Sequence, residues 1–228
     1  MSNPQHQAGN EVVRAGRTLA ALGLVTAFGH VSQRNGSMML ITPAADLARV
    51  TVADLVEVEL SAASLPPGAP AETWAHLAVY LARPEVAAVA RAQPPAAFAA
   101  ASALSDNAQA GGRRPPVTVP VLPLLHGQAC WLGTRVPVHQ DARLLRSGEL
   151  AAAAASALGS SDAVILRGNG ALTCGASPGL AAAACGTPRP MAAAEAESWR
   201  AVAGELLPRL WLHLGRKAGN NDATADGG

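Results

Sequence analysis

Glu72 and His76 lie four residues apart within a stretch of helical periodicity, which puts a carboxylate and an imidazole on one helical face. His30 follows Gly29 at an expected turn, and imidazole is the natural proton carrier near neutral pH. Arg91 brings a guanidinium that stays charged and forks onto carboxylates. Gln93 and Asn169 add amides able to orient a polar ligand; as metal donors their oxygens are weak and hard, better suited to calcium than to zinc. Glu72, His76 and His30 have the donor types of an iron or manganese site, the metal alternative open to these residues. Cys130, Cys174 and Cys185 are too few and too scattered for a disulfide framework or a zinc ribbon, and they read as reduced, buried small hydrophobes.

The elements that must position these groups belong to one α/β domain. A chain of 228 residues builds a substantial core, and with aromatics at only 3% that core has to be made of Leu, Val and Ala. The 17 Lys and Arg against 16 Asp and Glu leave a net charge of +1, so there is no basic stripe for nucleic acid and no electrostatic grip on a membrane. The apolar run 151–158 is far shorter than the roughly 20 residues a membrane span needs. The first ten residues lack the basic-then-apolar order of a signal peptide, and the expected location is cytoplasmic.

Residues 1–10 read as a disordered lead, 11–214 as the single domain and 215–228 as a disordered tail. The pattern predicts a helix over 11–22, a hairpin of 31–34 and 38–41 around Asn35-Gly36, and a strand over 55–60. A Pro/Gly/Ala loop over 61–70 leads to a helix over 71–82, a short buried strand over 86–92 and a helix over 96–104. Residues 117–125 read as extended, with Pro120 and Pro123 favouring a sheet edge, and His139 reads as part of a surface loop. A helix over 148–158, strands over 163–167 and 171–174 around a glycine turn, and a helix over 190–214 interrupted at Pro208 complete the series. Antiparallel hairpins without a clean βαβ repeat predict a three-layer α/β/α sandwich on a mostly antiparallel or mixed sheet.

The ordered series of short segments resembles the class II aldolase/adducin family over roughly 11–205. It runs through Gly29-His30-Val31-Ser32-Gln33-Arg34, Thr42-Pro43-Ala44-Ala45 and Asp54-Leu55-Val56-Glu57-Val58. It continues with Pro70-Ala71-Glu72-Thr73-Trp74-Ala75-His76, then Tyr80, Arg83-Pro84-Glu85-Val86 and Arg91-Ala92-Gln93-Pro94, and ends with Gly168-Asn169-Gly170 through Gly175. The resemblance implies a class II aldolase-like fold in which a His-x-His pair and a later His hold a catalytic zinc. At those three positions this chain carries Arg91, Gln93 and Asn169. Arginine is no metal ligand, and a cation in the shell repels a dication.

The resemblance therefore implies a metal-independent relative with no cofactor. In it Arg91 takes over the electrostatic role of the metal, and Glu72, the family's proton shuttle, works with His30 as acid or base. Gln93 and Asn169 orient the ligand, and His126 stands where the family has a pocket-edge loop. The turns that grip a sugar phosphate in the family read Gly29-His30, Ala44-Ala45 and Pro70-Ala71, leaving backbone N–H groups near Gly29 and the Thr26 hydroxyl to hold an anion. The expected activity is lyase-type: C–C cleavage or decarboxylation, dehydration or cyclisation. The expected substrate is a small anion, a non-phosphorylated carbonyl or a hydroxy or aromatic acid, of the kind found in natural-product biosynthesis. The alternative is a non-catalytic adducin-like scaffold, in which Arg91 and Glu72 only neutralise each other. The family also implies a homo-oligomer, with a tetramer favoured.

Overall fold

The computed structural model describes residues 4–25, 27–95, 97, 121–122, 136–185, 208, 211–212, 214–216 and 219. Eight strands form one sheet: β1 (His30–Asn35), β2 (Met38–Ile41), β3 (Val56–Glu59), β4 (Ala88–Ala92), β5 (Val121–Leu122), β6 (Val136–His139), β7 (Ala163–Leu166) and β8 (Gly170–Gly175). Their order is β3-β2-β1-β4-β8-β7-β6-β5. Every pairing is antiparallel except β6 with β7. The sheet is thus mixed and mostly antiparallel, as the sequence predicts.

Among the helices of the described residues, α1 (Pro4–Ala21), α2 (Thr73–Ala82), α3 (Gly148–Leu158) and α4 (Pro178–Cys185) cover it. Side-chain alternation along the strands sorts them into two layers. Val89 of β4 and Leu172 and Cys174 of β8 share a core with Leu77, Tyr80, Ala154 and Leu158 of α2 and α3. Ala88, Ala90 and Ala92 turn the other way and pack with Val12, Ala15 and Leu19 of α1 and with Ala181, Ala182 and Cys185 of α4. Small side chains on both partners bring the alanine-rich α4 close to β4 and β8. The result is the expected α/β/α sandwich.

Several expectations need correction. Helix α1 starts at Pro4, not after a lead of ten residues. Gly9 is buried, and a Cβ there would meet Val52 at 2.9 Å, so tertiary packing draws this polar stretch into the helix. His139 is not on a surface loop. It is buried on β6, a strand that the short run Val136-Pro137-Val138 left hidden in the sequence. Helix α4 was also not foreseen, because Ala-rich runs carry no amphipathic stripe to read. Helical turns cover 214–216, reaching into the stretch read as tail from 215, and Trp211 stacks on Arg14 of α1 at 5.2 Å. Most of the expected helix over 96–104, of the extended segment 117–125 and of the helix over 190–214 lies outside the described residues.

Candidate functional site

Three elements bring charged groups to one end of the sheet beneath α2. Arg91 projects from β4 on the same face as Val89, toward α2. In the register of β1 with β4, His30 is directly opposite Arg91. On the other side, Leu172 of β8 is opposite Arg91. Glu72 is the N-cap residue of α2, and His76 stands one turn further along that helix. The turn between β7 and β8 supplies Asn169. Gly170, at φ 96°, lets that turn press against the carbonyl of Ala92, where any side chain would collide.

Asn169 is the bridge. Its Nδ2 donates to Glu72 Oε1 at 3.1 Å, and its Oδ1 accepts from Arg91 Nη2. Its backbone carbonyl accepts from the same Nη2 at 3.0 Å. The amide is thus oriented by charge: oxygen to the cation, nitrogen to the anion. Arg91 Nη1 donates to the carbonyl of Phe28 at 2.7 Å, and Nη2 stands 3.8 Å from Glu72 Oε2. At that separation and an effective dielectric near 20 the attraction is about 4 kcal/mol, offset by the desolvation of two buried charges. Arg91 is 2% exposed and Glu72 8%, so removing either one strands the other. Burial pulls the pKa of Arg91 below its ordinary value, and Glu72 opposes that pull.

The histidines sit deeper than the sequence suggests. His30 is the first residue of β1, buried, and not a turn residue. Burial first, and then the charge of Arg91, lower its pKa to about 3. It is therefore a neutral imidazole at pH 7, and the expectation of a proton carrier poised near neutrality is corrected by desolvation. His76 is fully buried; burial, His30 and Arg91 all keep its pKa well below the ordinary value. The two rings meet edge-on with centroids 6.0 Å apart. His76 Nδ1 is 2.8 Å from Ser32 Oγ, which is 2.8 Å from the hydroxyl of Tyr80. Ser32 and Tyr80 had no role assigned from sequence, although period two places Ser32 beside His30 on β1, and four residues place Tyr80 below His76 on α2.

Several buried polar atoms here have no hydrogen-bond partner among the described residues: Arg91 Nε, His30 Nδ1, His76 Nε2 and Thr73 Oγ1. Gln93, half-buried just beyond β4, donates its backbone N–H to the carbonyl of Leu24 at 2.8 Å. Gly29 is buried against Val25 and the carbonyl of Arg91, so it serves close packing between β1 and β4. Thr26 and His126 lie outside the described residues, as does Cys130. Cys174 and Cys185 are buried, with pKa values raised to about 12 chiefly by burial, so both thiols stay protonated and are poor nucleophiles.

The zinc ion implied by the family resemblance does not fit this donor set. The Arg91 guanidinium and the Asn169 amide meet beside Glu72, and neither group is a usual zinc ligand. Among the described residues no group of three or more His, Cys, Asp or Glu side chains is placed to hold a metal ion. Of the residues of the alternative iron or manganese site, His76 turns its Nδ1 to Ser32 and Glu72 accepts from Asn169. Also among the described residues, no helix is long and apolar enough to cross a membrane.

A family model described as "Class II Aldolase and Adducin N-terminal domain" matches residues 10–187. No curated protein matches the chain. Among solved structures, it is similar to the l-fuculose-1-phosphate aldolase of Thermus thermophilus, with 28% identity over 92% of this chain and 98% of that one and a TM-score of 0.66. An aldolase II superfamily protein from Pseudomonas syringae shares 21% identity over 95% and 94% of the two chains, with a TM-score of 0.71. An l-fuculose 1-phosphate aldolase from Glaciozyma antarctica shares 20% identity over 94% and 91%, with a TM-score of 0.68.

Proposed function

The chain belongs to the class II aldolase and adducin N-terminal domain family, and on that premise we propose that it is a metal-independent lyase acting on a small, non-phosphorylated acid. The observation that carries this reading is the set of unpartnered buried polar atoms, Arg91 Nε, His30 Nδ1, His76 Nε2 and Thr73 Oγ1, around a guanidinium already oriented by Asn169. Buried polar groups without partners are rare in folded proteins, and such a cluster is matched by a ligand bearing negative charge and hydrogen-bonding oxygens.

In this reading Arg91 holds the carboxylate and stabilises negative charge developing beside it, the task a metal performs elsewhere in the family. Glu72, held by Asn169 3.8 Å from Arg91, takes or returns the proton. His30 is a neutral base or hydrogen-bond partner and not an imidazolium. Gln93, Gly29, Thr26 and His126 complete the ligand contacts. Lyase chemistry is C–C cleavage, decarboxylation, dehydration or cyclisation of a carbonyl or of a hydroxy or aromatic acid, a substrate class typical of natural-product biosynthesis. A cytoplasmic homotetramer completes the reading.

The alternative is an adducin-like scaffold without catalysis. It is favoured by the fact that Arg91 Nη1 and Nη2 are already satisfied by Phe28, Asn169 and Glu72. Elemental analysis of the purified protein and calorimetric titration with acetate and glycolate separate these outcomes. The proposed enzyme binds the acids with less than a tenth of a metal equivalent per chain, an order-of-magnitude bound below the one ion per subunit of a catalytic zinc site. One tightly held metal per chain sinks metal independence, and no acid binding favours the scaffold.

A further inference from the structure

Counting protons along Tyr80, Ser32 and His76 favours one ring nitrogen of His76 as the carrier of hydrogen. Ser32 Oγ has two neighbours, the Tyr80 hydroxyl and His76 Nδ1, each at 2.8 Å, and only one proton to give. If His76 Nδ1 donated to Ser32, Ser32 would donate to Tyr80. The phenolic proton would then have to turn away from Ser32, and His76 Nε2 would be a bare, buried lone pair. The reverse order uses both hydroxyl protons: Tyr80 donates to Ser32, and Ser32 donates to His76 Nδ1. In that order Nδ1 of His76 accepts, and its ring proton sits on Nε2.

That Nε2–H is buried without a partner, on a ring whose neighbour across the edge contact is His30. His30 in turn is the strand partner of Arg91, and directly opposed residues bring their Cβ atoms within about 5 Å. We infer that His76 is a substrate-binding residue: its Nε2–H donates to the oxygen on the carbon next to the carboxylate of a 2-hydroxy or 2-oxo acid, while Arg91 holds the carboxylate. This rests on the acid-binding reading above and adds to it the recognition of the neighbouring oxygen. Ser32 and Tyr80 act through His76 as positioning residues.

Two readouts test it. Nitrogen-15 NMR of the unsubstituted protein at neutral pH shows His76 protonated on Nε2 and unprotonated on Nδ1; the opposite tautomer overturns the inference without any variant having to fold. Calorimetry compares glycolate with acetate, which differ in that one oxygen. The unsubstituted protein prefers glycolate by roughly 10- to 100-fold, the range of one hydrogen bond in a buried charged site. His76→Asn, which keeps an acceptor near Ser32 and removes the Nε2 donor, brings the preference close to unity with acetate affinity retained. His76→Gln, which returns an amide N–H near that place, restores part of it. A glycolate preference that survives in His76→Asn refutes the role. If acetate binds and glycolate gains nothing in the unsubstituted protein, His76 recognition alone fails. If neither acid binds, the acid-binding reading fails and this inference with it.

Discussion

The two faces of strand β4 are built by opposite rules. Toward α1 and α4 it presents Ala88, Ala90 and Ala92, with no polar atom to satisfy and nothing but close packing to offer. Toward α2 it presents Val89 and then Arg91, a cation whose contacts reach β8's turn, the loop before β1 and the start of α2. Five consecutive residues thus carry a purely steric surface and an electrostatic one, separated by the thickness of one strand. The difference teaches that alternate residues of one strand answer to different layers, so the packing of the alanine face can be varied without touching the charged one.

Arg91→Ala breaks the electrostatic face most severely. It leaves Glu72 buried without its cation, for an expected loss of about 3–5 kcal/mol in denaturant unfolding, together with loss of acetate and glycolate binding. Unchanged acid binding in this variant would mean that the guanidinium is structural only. On the steric face, Ala90→Leu overfills the gap beneath α4 and costs about 1–3 kcal/mol, with acid affinity unchanged in calorimetry. A parallel loss of binding there would show that the faces are coupled.

Acid sharpens the same contrast more gently. The folded pKa of His30, about 3, lies below its ordinary value of 6.5. Above pH 6.5 the ring is neutral in both states and stability is full. As pH falls the unfolded chain takes up the proton first, so stability drains away between 6.5 and about 3, at up to ~1.4 kcal/mol per pH unit. His76 acts in the same direction. Urea midpoints measured from pH 7 down to pH 4 should fall accordingly, and a flat profile would contradict the burial of neutral imidazoles.

Much of this architecture was readable in the chain because local signals agreed with the tertiary layers. Asn35-Gly36 between apolar alternations set the hairpin, and the predicted helix over 148–158 matches α3, with Ser147 capping its start. The trio Glu72, Arg91 and Asn169 was legible only through the ordered family segments, since the three are far apart in sequence and no spacing brings them together. What stayed hidden is what long-range packing decides. Burial of His30 beside Arg91 turned an expected proton carrier into a neutral ring. The hold of the Phe28 carbonyl on Arg91 involves backbone, to which residue identity is blind. Strand β6 and helix α4 carry too little contrast between apolar and polar positions to announce their period.

The antiparallel pairing of His30 with Arg91 also limits how this chain can change in length. Deleting or inserting one residue ahead of Arg91 within β4 would rotate the cation into the alanine layer and an alanine into the anion's corner. The alanine row is therefore more than filler: it makes any such misalignment intolerable, because no space there admits a guanidinium. Surviving variation should then accumulate as exchanges of side chain at fixed length in this strand, with gains and losses of residues confined to the loops around it.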